Sequence, residues 1–182
     1  KPPGGLDAAL SLGNNLDNVI VFNSLSKRSN ASGMRAGFIA GDEKIIDSYK
    51  LLVSNGASPV PIPIQKVAAA LYDDEEHNTN ACIHYDQNFQ IVEKYLKPFY
   101  KNFQVPKGGF FLWLKVNDDE EATKILWNKF SLRVMPGRYM ASEVEGLNPG
   151  KGYLRISIVD NKEVIEEAMK RVSLFLKSKY SE

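Results

Sequence analysis

The sequence predicts a mixed α/β chain, and three observations carry that prediction. Two short apolar runs, 19–22 and 152–159, read as strands, the second alternating cleanly between apolar and polar positions. Two longer stretches, 82–103 and 164–176, repeat apolar residues at intervals of three and four, the spacing of an amphipathic helix. Gly-, Pro- and Asn-containing breaks separate the segments, and no internal repeat is visible, so helices and strands are mixed along the chain. The 182 residues allow one domain or two small ones, and 43% apolar with 25% charged residues is ordinary globular composition. A formal net charge of +1 gives no electrostatic reason to expect a nucleic-acid or membrane partner. No apolar run approaches the ~20 residues that span a bilayer. The sole cysteine, Cys82, has no internal disulfide partner and fits a reducing cytoplasm.

Taken in order, residues 1–17 are rich in Gly, Pro and Asn and read as a loop with at most one helical turn. A first strand is expected at about 19–23 and a second at about 36–41, with the polar segment Asn23 to Gly33 between them. Asp42 then caps a helix whose apolar face is Ile45, Ile46, Tyr49, Leu52 and Val53, and Asn55-Gly56 stops it. Pro59, Pro61 and Pro63 keep the next segment extended, although Pro63 suits a first helical turn, and a short helix follows from Ile64 to Tyr72. The stripe Cys82, Tyr85, Phe89, Val92, Leu96, Phe99 and Phe103 reads as the core face of one long helix, kinked or ended near Leu96 by Pro98. His77 and His84 have no clustered Cys beside them, so no metal site is expected. A strand at 110–116, a helix capped by Asp118 or Asp119, a short strand at 132–135, a loop at 139–151 and a strand at 152–159 come next. Asp160 or Asn161 caps the last helix, with its stripe Val164, Ile165, Ala168, Met169, Val172 and Leu176.

The first strand leads into Ser24, Ser26 and Lys27, and Arg35 follows eight residues later. A lysine after a strand is, by itself, a solvated loop residue. Two alternating hydroxyls with two cations at one sheet edge are a different matter, because that mixture suits a doubly charged phosphate with an amine beside it. Ser24-Leu-Ser-Lys27 is also an S-x-x-K, the serine-acylase signature, with Lys107-Gly-Gly109 as a faint K-T-G. That chemistry wants its serine at the start of a helix. The loop residues Asn30, Ser32 and Gly33 argue against one here, and no S-D-N triplet is present.

The run Ser-Leu-Ser-Lys-Arg-Ser-Asn, followed by Gly-Met-Arg-Ala-Gly-Phe, resembles the lysine motif of the class I/II aminotransferases, and within them most resembles the N-succinyldiaminopimelate enzymes. The resemblance implies the cofactor pyridoxal 5'-phosphate, with Lys27 as the catalytic lysine that bonds its aldehyde. It also implies that Ser24, Ser26 and Arg35 hold the cofactor phosphate. The implied fold is the C-terminal part of the aspartate aminotransferase-like transferase fold. Residues 1–73 would close the large cofactor-binding domain with a linker helix, and residues 74–182 would be the small domain.

In 152–158, Leu154, Ile156 and Ile158 share one face of a strand, and Tyr153, Arg155 and Ser157 share the other. A strand arginine is a structural salt bridge, an edge residue or a ligand site. The segment Asn-Pro-Gly-Lys-Gly-Tyr-Leu-Arg-Ile-Ser again resembles the same enzymes, and there the implied role of Arg155 is to clamp the substrate α-carboxylate with two parallel hydrogen bonds. Pro106-Lys-Gly-Gly-Phe-Phe and Val134-Met-Pro-Gly match small-domain landmarks expected to shape the substrate pocket. Succinyl-specific relatives often carry an arginine a few residues after Tyr139, where this chain has Ala141-Ser142-Glu143; Arg138 is the residue expected to compensate.

The resemblance implies small amino-acid and keto-acid substrates, glutamate as donor, N-succinyl-2-amino-6-ketopimelate as acceptor in lysine and diaminopimelate biosynthesis, and a homodimer. Family members are about twice this length, and the residues their first half places around the cofactor ring have no counterpart here. The chain therefore reads as a C-terminal half, inactive alone and with apolar surface exposed. The alternatives are an aspartate or aromatic aminotransferase, a carbon–sulfur lyase of the same fold, or a non-catalytic regulatory domain.

Overall fold

The computed structural model describes residues 4–13, 15–57 and 59–180, so residues 1–3 and 14 of the expected N-terminal loop lie outside the described residues. The chain divides into two compact units, Lys1–Ala81 and Cys82–Glu182.

The first unit opens with α1 (Gly5–Ser11), two helical turns where the Gly-rich composition suggests one at most. Asp7 supplies the difference, since its carboxylate accepts the Gly4 N–H at the positive helix end. β1 (Ile20–Ser24) and β2 (Gly37–Gly41) pair antiparallel, with Ser24 opposite Gly37. Between them lie a single helical turn, α2 (Leu25–Arg28), and a 3₁₀ turn at Ser32–Met34. α3 (Glu43–Gly56) is capped by Asp42, which accepts the Lys44 and Ile45 amides at 2.8 and 3.3 Å. α4 (Ile62–Asp73) starts two residues earlier than its pattern suggests, because Pro63 sits comfortably in the first turn. The expected apolar face of α3 forms, but none of its residues is buried, and Leu51 and Leu52 are each 68% exposed. Leu25, Ala9 and Ala36 are the buried apolar residues described in this unit.

The boundary between the units falls within α5 (Glu76–Leu96), which ends at Leu96 as Pro98 dictates. Cys82 is exposed on it. The second unit contains β3 (Phe111–Lys115), α6 (Asp119–Phe130), β4 (Met135–Pro136), β5 (Tyr153–Ser157) and α7 (Lys162–Tyr180). Its antiparallel sheet has the order β3-β5-β4, so β5 is central. β4 is only two residues long: of the expected 132–135 only Met135 pairs with β5, and Pro136 extends the pairing by one residue. One sheet face, with Leu112, Leu114, Leu154 and Ile156, packs with Phe89, Val92 and Leu96 of α5, Ala122 and Leu126 of α6, and Ile165, Met169, Val172 and Phe175 of α7. The period-two and period-3.6 patterns thus meet in one core. Val164, expected in the α7 stripe, is half exposed. No helix among the described residues is long and apolar enough to cross a membrane.

Candidate functional site

In the first unit the expected cofactor residues gather at the end of the β1–β2 ribbon. Ser24 closes β1 and caps α2: its Oγ accepts the Ser26 N–H at 3.2 Å and lies 3.0 Å from the Ser26 hydroxyl. Leu25 is fully buried beneath the turn, and its N–H donates to Ala36 O at 3.2 Å. This bond sets the start of α2 beside Arg35 and Ala36. Lys27 follows on the exposed side of the turn. Arg35 adopts the left-handed region, φ 50° and ψ 39°, uncommon outside glycine. Its guanidinium donates to Ser32 O at 3.2 Å and pairs with no carboxylate among the described residues. Gly37 allows the ribbon to close here, since a Cβ would run into Asn23 O. Two hydroxyls, an ammonium and a guanidinium without a described carboxylate partner stand at one ribbon end, a donor set that fits a phosphate dianion.

The loop residues argue against a helix after Ser24, yet Ser24 does stand at a helix start. The cap bond forms the turn, and Asn30, at φ 51°, ends it after four residues. The helix does not propagate beyond this single turn, as the loop residues imply. The absent S-D-N triplet still counts against S-x-x-K chemistry.

In the second unit Arg155 sits mid-β5, with Trp113 of β3 and Met135 of β4 as its cross-strand neighbours. Its guanidinium stacks on the Phe111 ring at 3.9 Å, and Nη1 donates to Met140 Sδ at 3.4 Å, a weak acceptor. No described carboxylate pairs with it, although it is half-buried. Phe111, from the Pro106–Phe111 run expected to shape the substrate pocket, and Met140, which the sequence did not single out, hold the fork while leaving strong hydrogen-bonding capacity unused. Met140 reaches it because Gly137 and Gly150 press their backbones together, which brings the 3₁₀ turn Gly137–Met140 onto the approach to β5.

Arg138 does not compensate for the missing succinyl arginine. Its Nε and Nη2 donate to Asp119 Oδ1 at 2.9 and 2.7 Å, and Nη1 donates to Glu120 Oε2 at 2.8 Å. Burial alone would raise the Asp119 carboxyl. Hydrogen bonds from the Arg138 guanidinium and from the Arg138 and Gly152 amides outweigh it and hold the group far below the usual range. Asn148 completes this brace, donating to Arg138 O at 3.0 Å and accepting the Gly150 N–H at 2.9 Å. Arg138 is thus a structural cation of the loop between α6 and β5.

Comparison with known proteins decides the family. A model of the aminotransferase class I and II family matches residues 3–172. The chain belongs to that family. Among class I and II aminotransferases, it is 30% identical over 173 residues to the (5-formylfuran-3-yl)methyl phosphate transaminase of Methanocaldococcus jannaschii, covering 93% of this chain and 45% of that protein. It is 31% identical over 157 residues to the LL-diaminopimelate aminotransferase of Natranaerobius thermophilus, covering 84% and 39%. An aminotransferase structure from Neisseria meningitidis superposes with a TM-score of 0.87 at 37% identity, covering 96% of this chain and 45% of that one. A Helicobacter pylori aminotransferase gives 0.85 at 29%, covering 97% and 46%. The chain spans less than half the length of these relatives. Its fold is the aspartate aminotransferase-like transferase fold, and the family's cofactor is pyridoxal 5'-phosphate.

Proposed function

We propose that the whole protein is an aminotransferase that moves an amino group from glutamate to a keto acid, with N-succinyl-2-amino-6-ketopimelate of lysine and diaminopimelate biosynthesis as acceptor. The observation that carries the reading is the gathering of Ser24, Ser26, Lys27 and Arg35 at one ribbon end, in a chain of this family. Ser24, Ser26 and Arg35 hold the cofactor phosphate, and Lys27 bonds its aldehyde. When bound, the cofactor supplies the electron sink that acidifies the substrate α-carbon. Once the substrate amine has displaced it from the aldehyde, the freed Lys27 Nζ would accept the α-proton and return it during turnover. Arg155 orients the substrate through its α-carboxylate, for which its planar fork is suited and for which it is left available by having no carboxylate partner among the described residues. Residues 1–73 then belong to the cofactor-binding domain and 74–182 to the small domain. The motifs around Lys27 and Arg155 support the succinylated acceptor, without help from Arg138. The lone exposed thiol of Cys82 supports a cytoplasmic setting, and family membership supports a homodimer.

The test uses the whole protein with pyridoxal phosphate and borohydride. Peptide mapping is expected to find the fixed cofactor on Lys27; a label on Lys50 or Lys66 would overturn the assignment. Arg155→Lys is expected to take the label normally while KM for glutamate and for the keto acid rises about thirtyfold, on the order of 2 kcal/mol for a lost bidentate pair. Loss of cofactor with unchanged substrate affinity would remove Arg155 from the carboxylate role. Kinetics with oxaloacetate and aromatic keto acids beside the succinylated acceptor separate the specificities.

A further inference from the structure

The turn that carries Lys27 is four residues long, too short to hold itself. Its C-terminal side is nonetheless tied down by residues the proposed chemistry does not use. Arg28, whose side chain is only 14% exposed, reaches the corner where α4 ends and α5 begins. Its Nη1 donates to Leu71 O at 2.7 Å, its Nη2 donates to Tyr72 O at 3.3 Å, and Nη2 pairs with Glu75 Oε1 at 2.6 Å. The guanidinium also stands 5.3 Å from the centre of the Tyr72 ring. It satisfies last-turn carbonyls of α4, where a cation is favoured. One residue on, Ser29 Oγ lies 2.9 Å from His77 Nε2. His77 Nδ1 lies 3.0 Å from Asp74 Oδ2, within ion-pair reach although too bent for a hydrogen bond.

The order Asp74, His77, Ser29 has the spacing of a nucleophilic triad. Its surroundings do not follow suit: the Ser29 and Ala31 amides both donate to Leu25 O rather than facing the hydroxyl as an oxyanion hole. What the contacts do is bind both residues after Lys27 to one rigid corner.

We propose that Arg28 and His77 are positioning residues for Lys27, a two-point clamp that locks the lysine-bearing turn to the α4–α5 corner. The clamp rests on the reading of Lys27 given above. It acts on the direction of the lysine, because the turn is fixed at its start by the Ser24 cap and by Leu25 N–H to Ala36 O, and at its end by Arg28, Ser29 and the amides closing on Leu25 O. Releasing the end lets Lys27 swing while the ribbon stays paired, and small misplacements of a reacting group cost rate steeply.

The experiment compares Arg28→Met, His77→Leu, His77→Gln and Ser29→Ala in the whole protein, with pyridoxal phosphate as the probe. The rate of borohydride fixation at Lys27 is expected to fall about tenfold in Arg28→Met and His77→Leu. His77→Gln, whose amide reaches toward Ser29, is expected to recover most of it, and Ser29→Ala covers the case in which Arg28→Met fails to fold. Hydrogen exchange of the peptide spanning 24–31, measured without cofactor, is expected to speed up in the same variants. Lower melting temperatures with an unchanged fixation rate would show a merely structural role and overturn the clamp; so would unchanged exchange. A parent protein labelled away from Lys27 would overturn the Lys27 reading and with it the clamp's purpose, and the exchange arm would still report whether the corner holds the turn.

Discussion

Leu51 and Leu52 stand two-thirds exposed on α3, whereas Leu112, Leu114, Leu126 and Leu154 are shut away in the second unit. Leu52 lies in the expected apolar face of α3 and Leu154 in the alternation of β5, so the pattern alone does not tell which face finds cover. The first unit offers a two-stranded ribbon and short helices, and a lone ribbon buries too little to be stable by itself. The second offers a three-stranded sheet with α5, α6 and α7 on one face, enough to close a core. The proposed cofactor residues sit on the thinly packed unit and the proposed carboxylate clamp on the dense one.

The comparison breaks most readily at Leu154, on the central strand and fully buried. Leu154→Ala is expected to cost roughly 4 kcal/mol, because the neighbours on both flanking strands cannot collapse into the cavity. Both tryptophans, Trp113 and Trp127, belong to the same unit, so urea unfolding followed by fluorescence reports it alone. A loss below 1 kcal/mol would mean that the core is not closed.

Asp119 comes next. Asp119→Ala is expected to cost about 2 to 3 kcal/mol, because the Gly152 amide loses its acceptor and Arg138 loses its buried partner while keeping Glu120 and Asp118. The folded carboxyl titrates below its unfolded value of about 4. Its contribution is therefore present in full above that value and is lost as the pH falls toward the folded pKa. The urea midpoint of the parent is expected to drop between pH 5 and pH 2 by more than that of the variant. Equal drops would detach the acid sensitivity from this pair.

The smallest effect is expected at Leu52. Leu52→Ser should shift the stability of this chain by no more than ~0.5 kcal/mol and should raise its solubility. A loss of 2 kcal/mol would show that α3 is covered in solution and would erase the contrast between the units.

The legible parts of the molecule were those with a period. The alternation Leu154, Ile156, Ile158 identified the buried face of β5, and the three-four stripe identified α5 through Phe89, Val92 and Leu96. The cap at Asp42 and the stop at Pro98 were legible because their chemistry is local. Of the proposed site, Ser24, Ser26 and Lys27 were readable as a dense polar cluster after a strand. What escaped was the fate of individual cations. Whether an arginine is free or braced depends on partners such as Asp119 and Glu120, 19 and 18 residues from Arg138, or Glu75, 47 residues from Arg28. No periodicity marks such pairs. Arg138 and Arg155 look equally available in the sequence, and only the fold shows one engaged by acids and the other stacked on a ring.

The close approach of Gly137 and Gly150 carries a consequence for how this protein changes over generations. A Cβ on Gly137 would strike the carbonyl oxygens of Gly150 and Tyr153, and a Cβ on Gly150 would strike the carbonyl of Gly137. The obstacle on each side is main chain, which every amino acid shares. A neighbour that shrinks its side chain relieves nothing, and neither glycine yields by exchanging roles with the other. The two positions are thus closed to suppressor mutations of the ordinary packing kind, and any change at Met140 or Phe111 that adjusts the grip on Arg155 has to be made around two fixed glycines.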